Sequence, residues 1–300
     1  MRVGVVLPQM EIGADPAVIR EYAETAEAAG YDHLIAYDHV LGVDPKRPGR
    51  GTGAYANDAL FHEPLVLFGF LAGITERLEL WTGVLILPQR PTALVAKQAA
   101  EVAVLSGGRL ILGVGVGWNP VEYEALGQDF TTRGRRIDEQ VGLLRALWTN
   151  PTLSFQGDFD LVTDAGINPL PAETIPIWMG GQADRVLDRI GRLSDGWLVT
   201  PALRNSVEGI GPYVDRIHEA ARAAGRDPAT IGLESRVSVA GLSLAEQVEL
   251  AREWETAGCT HVTLNTMGAG LDSPEAHLEA IRAFRAALGQ PSLVGCSRTQ

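Results

Sequence analysis

The feature that most constrains this chain is an alternation of short apolar strands and amphipathic helical stretches, repeated eight times. Strand-like runs fall at Val3–Leu7, His33–Tyr37, Leu78–Leu87, Arg109–Val114, Ile177–Met179, Trp197–Thr200, Ile231–Ala240 and His261–Asn265. Helical patterns follow them at Pro16–Ala29, Glu63–Thr75, 91–105, Arg133–Trp148, Ala183–Leu193, Val207–Ala224, Leu244–Ala257 and Pro274–Leu288. Each carries apolar residues at helical spacing; in the first, Val18, Ile19, Tyr22 and Ala26 share a face and Gly30 supplies the stop. Eight such units without a break in composition predict an α/β fold, a single (β/α)8 barrel over residues 1–290. A polar tail then occupies 291–300.

A doubly wound sheet is the competing architecture. It needs Gly-x-Gly-x-x-Gly after its first strand, whereas Gly113-x-Gly115-x-Gly117 has another spacing and follows the fourth strand. Asn119-Pro120 also interrupts the helix that should come next. The barrel is the better fit.

Two segments depart from the plain repeat. Val40–Phe61 is a long, glycine-rich loop after strand two. Within 152–176, Leu153–Phe155 and Phe159–Val162 flank Gln156-Gly157-Asp158 as a hairpin, ahead of strand five. Both are expected on the carboxyl-terminal side of strands, where barrel sites are built. The first, long for a loop, reads as functional or disordered; either reads as a lid, and the second equally as surface decoration.

Charge narrows the function classes. A net charge of −12, from 25 basic and 37 acidic residues, argues against nucleic acid and against anionic membranes. Lysine occurs only at Lys46 and Lys97, so an anionic ligand would be held by arginine forks or backbone N–H groups. Cys259 and Cys296 are too few for a disulfide framework or a zinc site, and no histidine pair has metal-ligand spacing. The N-terminus reads as a strand without a signal-peptide pattern, and no apolar run nears ~20 residues. The expected compartment is the cytoplasm.

Candidate chemistry gathers at strand ends. Asp38-His39 closes strand two, and a histidine at a barrel mouth can exchange protons near neutral pH. Neighbours on a strand point to opposite faces, so the two have separate tasks. His39 is otherwise a loop-bound histidine. Gly83 interrupts strand three, marking either a bulge with a ligand against it or a neighbour's side chain. Strand four runs into Gly113, Gly115 and Gly117, where a backbone can approach a flat ligand closely. Gly180-Gly181-Gln182 opens a helix whose N–H groups suit a phosphate. Asp195 reads as structural; Glu234 and Arg236 form a buried pair or line the pocket, as Asn265 also could.

Seven segments in order resemble the luciferase-like monooxygenase superfamily, and within it the branch that uses the deazaflavin coenzyme F420. They are Ala36–His39, Trp81–Val84, Leu105–Arg109, Leu112–Trp118, Arg133–Glu139, Met179–Gly181 and Ser194–Trp197. The resemblance is close over residues 1 to about 200. It implies a bacterial-luciferase-like barrel with a cis peptide at Gly83–Val84 behind the cofactor ring. It also implies Asp38 and His39 beside that ring and Gly180-Gly181 near the phosphate, in line with the residue-level reading that sets Gly115 against a flat ligand and Gln182 at the phosphate. A homodimer through barrel helices is implied too.

The resemblance therefore implies hydride transfer between the deazaflavin and a small organic substrate, with His39 moving a proton. Sugar-phosphate dehydrogenases of the branch carry an acid after the glycine turn, and lysines for the phosphate. Here Trp118 stands at that position and the lysines are missing. A less polar substrate is expected at Trp118, reduced at an activated C=C or C=O bond. Glu122 is either a substitute acid or a cap. The alternatives are an FMN-dependent monooxygenase and a non-catalytic flavin-binding relative.

Overall fold

A computed structural model describes residues 1–47, 55–199 and 205–289. Its strands are β1 (Arg2–Val6), β2 (His33–Ala36), β3 (Glu79–Thr82), β4 (Leu85–Ile86), β5 (Leu110–Gly115), β6 (Leu153–Gln156), β7 (Leu161–Ala165), β8 (Ile177–Gly180), β9 (Gly196–Leu198), β10 (Gly232–Ser238) and β11 (His261–Asn265). The helices are α1 (Pro16–Ala28), α2 (Pro64–Ala72), α3 (Thr92–Leu105), α4 (Pro120–Ala125), α5 (Arg133–Thr149), α6 (Asp184–Leu193), α7 (Gly211–Ala223), α8 (Leu244–Thr256) and α9 (Pro274–Leu288). The sheet order is β3-β2-β1-β11-β10-β9-β8-β5-β4, and β3 also pairs with β5, which closes the ring. All these pairings are parallel. With β3 and β4 as one interrupted stave, this is the expected eight-stranded barrel.

Alternation along each strand splits the core into two layers. Val3 and Val5 pack outward with Tyr22 and Ala26 of α1, while Val6, Ile35, Trp81, Trp178, Leu198 and Met267 cluster together inside. At the amino end, His33 stacks on Trp81 with centroids 4.6 Å apart, and His261 lies 5.1 Å from Trp178. A side chain at Gly4 would collide with the His33 ring, so this plug depends on that glycine.

Local chemistry moves several boundaries. Strand three breaks at Gly83–Val84, a cis peptide, and a turn at Leu87–Gln89 follows β4. Asn119-Pro120 starts a helix, contrary to expectation: Asn119 caps α4 by accepting the Val121 N–H at 3.0 Å. The hairpin lies in the connection from the end of α5 to the start of β8, not after the carboxyl end of a strand as expected, and its turn is wider than expected. β7 begins at Leu161 because the Glu139 carboxylate accepts the N–H groups of Asp158, Phe159 and Asp160 and holds them as a loop. The 291–300 tail, Cys296 and Thr200 lie outside the described residues, as does 48–54 of the long loop. Among the described residues no helix is long and apolar enough to cross a membrane.

Candidate active site

The carboxyl ends of the strands surround a cavity of ≈ 550 Å³, within the usual size of small-molecule sites. Asp38, His39, Gly83, Val84, Gly115, Trp118, Gly180 and Gly181 all line it, so one concavity unites segments dispersed over 144 positions (181 − 38 + 1).

Two glycines make its floor. A Cβ at Gly115 would lie 2.6 Å from Val84 Cγ2, and one at Gly180 3.2 Å from Val84 Cγ1. Val84 therefore seats between the ends of β5 and β8 only because both positions lack side chains. Gly83 faces Ile35 and Arg236 just as tightly. Of the two readings of Gly83, the structure shows the neighbour's side chain, with Ile35 packed against the position a Cβ would take.

Asp38 and His39 diverge, as extended neighbours should. Asp38 Oδ2 accepts the Ile86 N–H at 2.9 Å, and Oδ1 pairs with Arg90 Nη2 at 2.8 Å. Arg90 also reaches Glu63 at 2.9 Å. Burial pushes the Asp38 carboxyl up, and the Arg90 guanidinium and the Ile86 N–H oppose it. Asp38 is thus tied to the broken third strand while still forming part of the cavity wall.

His39 faces the cavity with an anion behind it. Its Nδ1 lies 3.1 Å from Glu122 Oε1, and that oxygen also accepts the N–H groups of Val40 at 2.9 Å and Leu41 at 3.1 Å. Gln89 Nε2 donates to the other oxygen at 3.2 Å. Burial acts to raise the Glu122 pKa, but the bonds from His39, Leu41 and Gln89 outweigh it and hold the carboxyl below its ordinary value. The carboxylate stays ionised at neutral pH. Tyr55, Phe61 and Trp118 surround the imidazole, with centroids 4.9, 4.8 and 5.6 Å away.

Two expected site residues stand elsewhere. The described cavity wall includes neither Glu122 nor Gln182. Glu122 is 1% exposed behind His39, with its oxygens already engaged, so it caps the loop and braces the histidine. The backbone turns at Gly181 (φ 135°), and Gln182 is exposed.

Other residues settle plainly. Asp195 is structural, accepting from Arg145 and the Ile177 N–H. Arg236 both pairs with Glu234 and lines the cavity, and Asn265 lines it too. Sequence reasoning did not single out Arg90, Gln89, Tyr37 or Met10. Only Tyr37, beside Asp38-His39, had a signal that could have found it.

The family model for luciferase-like monooxygenases matches residues 1–254. An uncharacterised protein of Mycobacterium tuberculosis is 38% identical over 204 residues, 66% of this chain and 70% of that one. An F420-dependent glucose-6-phosphate dehydrogenase of Amycolatopsis mediterranei is 33% identical over 211 residues, 69% of this chain and 59% of that relative. An FMNH2-dependent dimethylsulfone monooxygenase of Pseudomonas putida is 33% identical over 211 residues, covering 69% and 54%.

Proposed function

The chain belongs to the luciferase-like monooxygenase family, and from that premise we propose an oxidoreductase that moves a hydride between coenzyme F420 and a small organic substrate. The observation that carries the reading is His39 at the cavity wall, backed by the Glu122 carboxylate behind it. An ionised Glu122 favours the tautomer with hydrogen on Nδ1, which leaves Nε2, on the far side of the ring, as the basic nitrogen. His39 can then take a proton from a substrate hydroxyl, or as imidazolium give one to a carbonyl oxygen or an alkene carbon.

The residues present suit the cofactor. The seat formed by Gly83, Val84, Gly115 and Gly180 is free of projecting side chains apart from Val84, and a planar ring can rest on it. The Gly180-Gly181 turn before α6 offers backbone N–H groups for a phosphate. Bound there, the deazaflavin would supply a carbon centre that accepts or releases hydride. Met10, Leu198, Val199, Met267 and the half-exposed Trp118 give the wall a large apolar part beside the polar Glu11, Arg236 and Asn265, which supports a weakly polar substrate.

A second reading, FMN-dependent oxygenation, draws on the FMNH2-dependent relative, which is as similar as the F420-dependent one. Fluorescence titration with F420 and FMN in parallel separates them. Micromolar binding of F420 alone supports hydride transfer; tight binding of FMN alone overturns it.

We also propose that the protein is a homodimer. All nine residues of α2 are apolar, Pro, Gly or Ala, yet Val66 is 69% exposed, with Leu94 and Leu105 of the adjoining α3 exposed as well. A helix apolar all round calls for cover on both sides, and a second copy of the same face would supply it.

A further inference from the structure

Among the described residues of the cavity wall, Arg236 is the only arginine or lysine. Its side chain is 11% exposed. Nε meets Glu234 Oε1 at 3.4 Å, Nη1 donates to Tyr37 Oη at 3.0 Å, and the guanidinium sits 5.1 Å from the Tyr37 ring centroid. Nη2 lies 3.1 Å from the point a Gly83 Cβ would occupy. The guanidinium therefore flanks the seat on which a ring would rest.

A buried cation needs compensation, and here Tyr37 and Glu234 outweigh burial and hold the guanidinium charged. Glu234 offers one long contact, and burial pushes that carboxyl up toward its neutral form. Tyr37 contributes a hydroxyl dipole and a ring face. The other acidic groups of the wall are engaged elsewhere: Asp38 by Arg90, and Glu11 by the Gly268 N–H and His277. The Arg236 guanidinium is thus the one arginine or lysine cation beside the Gly83 seat among the described wall residues.

We propose that Arg236 binds the negative charge that the cofactor ring gains on reduction, so that the site prefers the reduced cofactor. This rests on the deazaflavin reading above. A hydride taken from a substrate C–H bond carries two electrons and one proton. It oxidises the substrate carbon and adds one negative charge to the ring until a second proton follows. Next to a desolvated guanidinium, that added charge is stabilised far more than in water.

The test is anaerobic titration of the protein with oxidised and with reduced F420, read as the ratio of the two dissociation constants. Wild type should bind the reduced form more tightly. Arg236→Met should lower the ratio at least tenfold, and Arg236→Lys should keep most of it. Tenfold corresponds to about 30 mV in the potential of a two-electron couple. Equal affinities in wild type, or a ratio unchanged in a folded Met variant, would overturn this role of Arg236 alone. No binding of either form to wild type would overturn the deazaflavin reading and this inference with it.

Discussion

His39 Nδ1 and Glu122 Oε1 lie 3.1 Å apart across 83 positions of sequence, and the same oxygen caps the N–H groups of Val40 and Leu41. One carboxylate therefore orients the histidine and folds the chain that leaves it. Replacing His39 with alanine should cut turnover about 10²–10⁴-fold with cofactor affinity nearly unchanged. Glu122→Gln should also leave affinity alone and lower kcat about 10–10⁴-fold. A merely structural Glu122 would lower the melting temperature and leave kcat of the folded variant unchanged.

Gly115 can be probed by adding one methyl group. Gly115→Ala pushes into Val84, so cofactor binding should weaken at least about tenfold and stability fall by about 1–3 kcal/mol. Gly142→Ala in α5 meets nothing within 4 Å and should stabilise by about 0.5–1 kcal/mol. Denaturant melts and F420 titrations of both variants make the comparison.

Arg90 neutralises a buried carboxylate. Arg90→Ala strands Asp38 and should cost about 3–5 kcal/mol. Adding Asp38→Asn should recover part of that loss, because no buried charge then lacks a partner. If urea melts show the double variant no more stable than Arg90→Ala, this account of Asp38 fails.

The histidine plug should make the barrel acid-sensitive. Burial pushes His33 well below its ordinary value and His261 down to about 4. Unfolded, both would protonate near about 6.5. From pH 6.5 down toward 4 the unfolded chain holds more protons, so stability declines as pH falls. The slope reaches about 1.4 kcal/mol per pH unit for each histidine. Urea melts from pH 7 to 4.5 should show it, and His261→Gln should flatten it; equal slopes in both proteins would rule the plug out as the cause.

The apolar face on α2 and α3 predicts a concentration-dependent dimer. Sedimentation should give twice the chain mass for wild type. Val66→Glu, at an exposed position, should give the chain mass with the fold retained. A wild-type monomer at high micromolar concentration would contradict the dimer.

Periodicity and punctuation carried the architecture. Each β/α unit signals itself within about 30 residues, and eight in series leave few alternatives to a barrel. The site's glycines were legible for the same local reason: Gly83 interrupts its own strand, and Gly115 and Gly180 end theirs. Gly180-Gly181 could be placed before a helix, but not against Val84. The hairpin turn was misjudged because Glu139, on a distant helix, sets it.

What the sequence by itself determined was the order of the staves and which residues end them. Only the tertiary structure decided that Glu122 backs His39, that Arg90 answers Asp38 and that Arg236 flanks Gly83. Those pairings join residues 83, 52 and 153 positions apart (236 − 83 = 153 for the last). No local spacing encodes them. Barrel closure brings the strand ends together, and buried charge and hydrogen-bonding groups then find their partners across that ring.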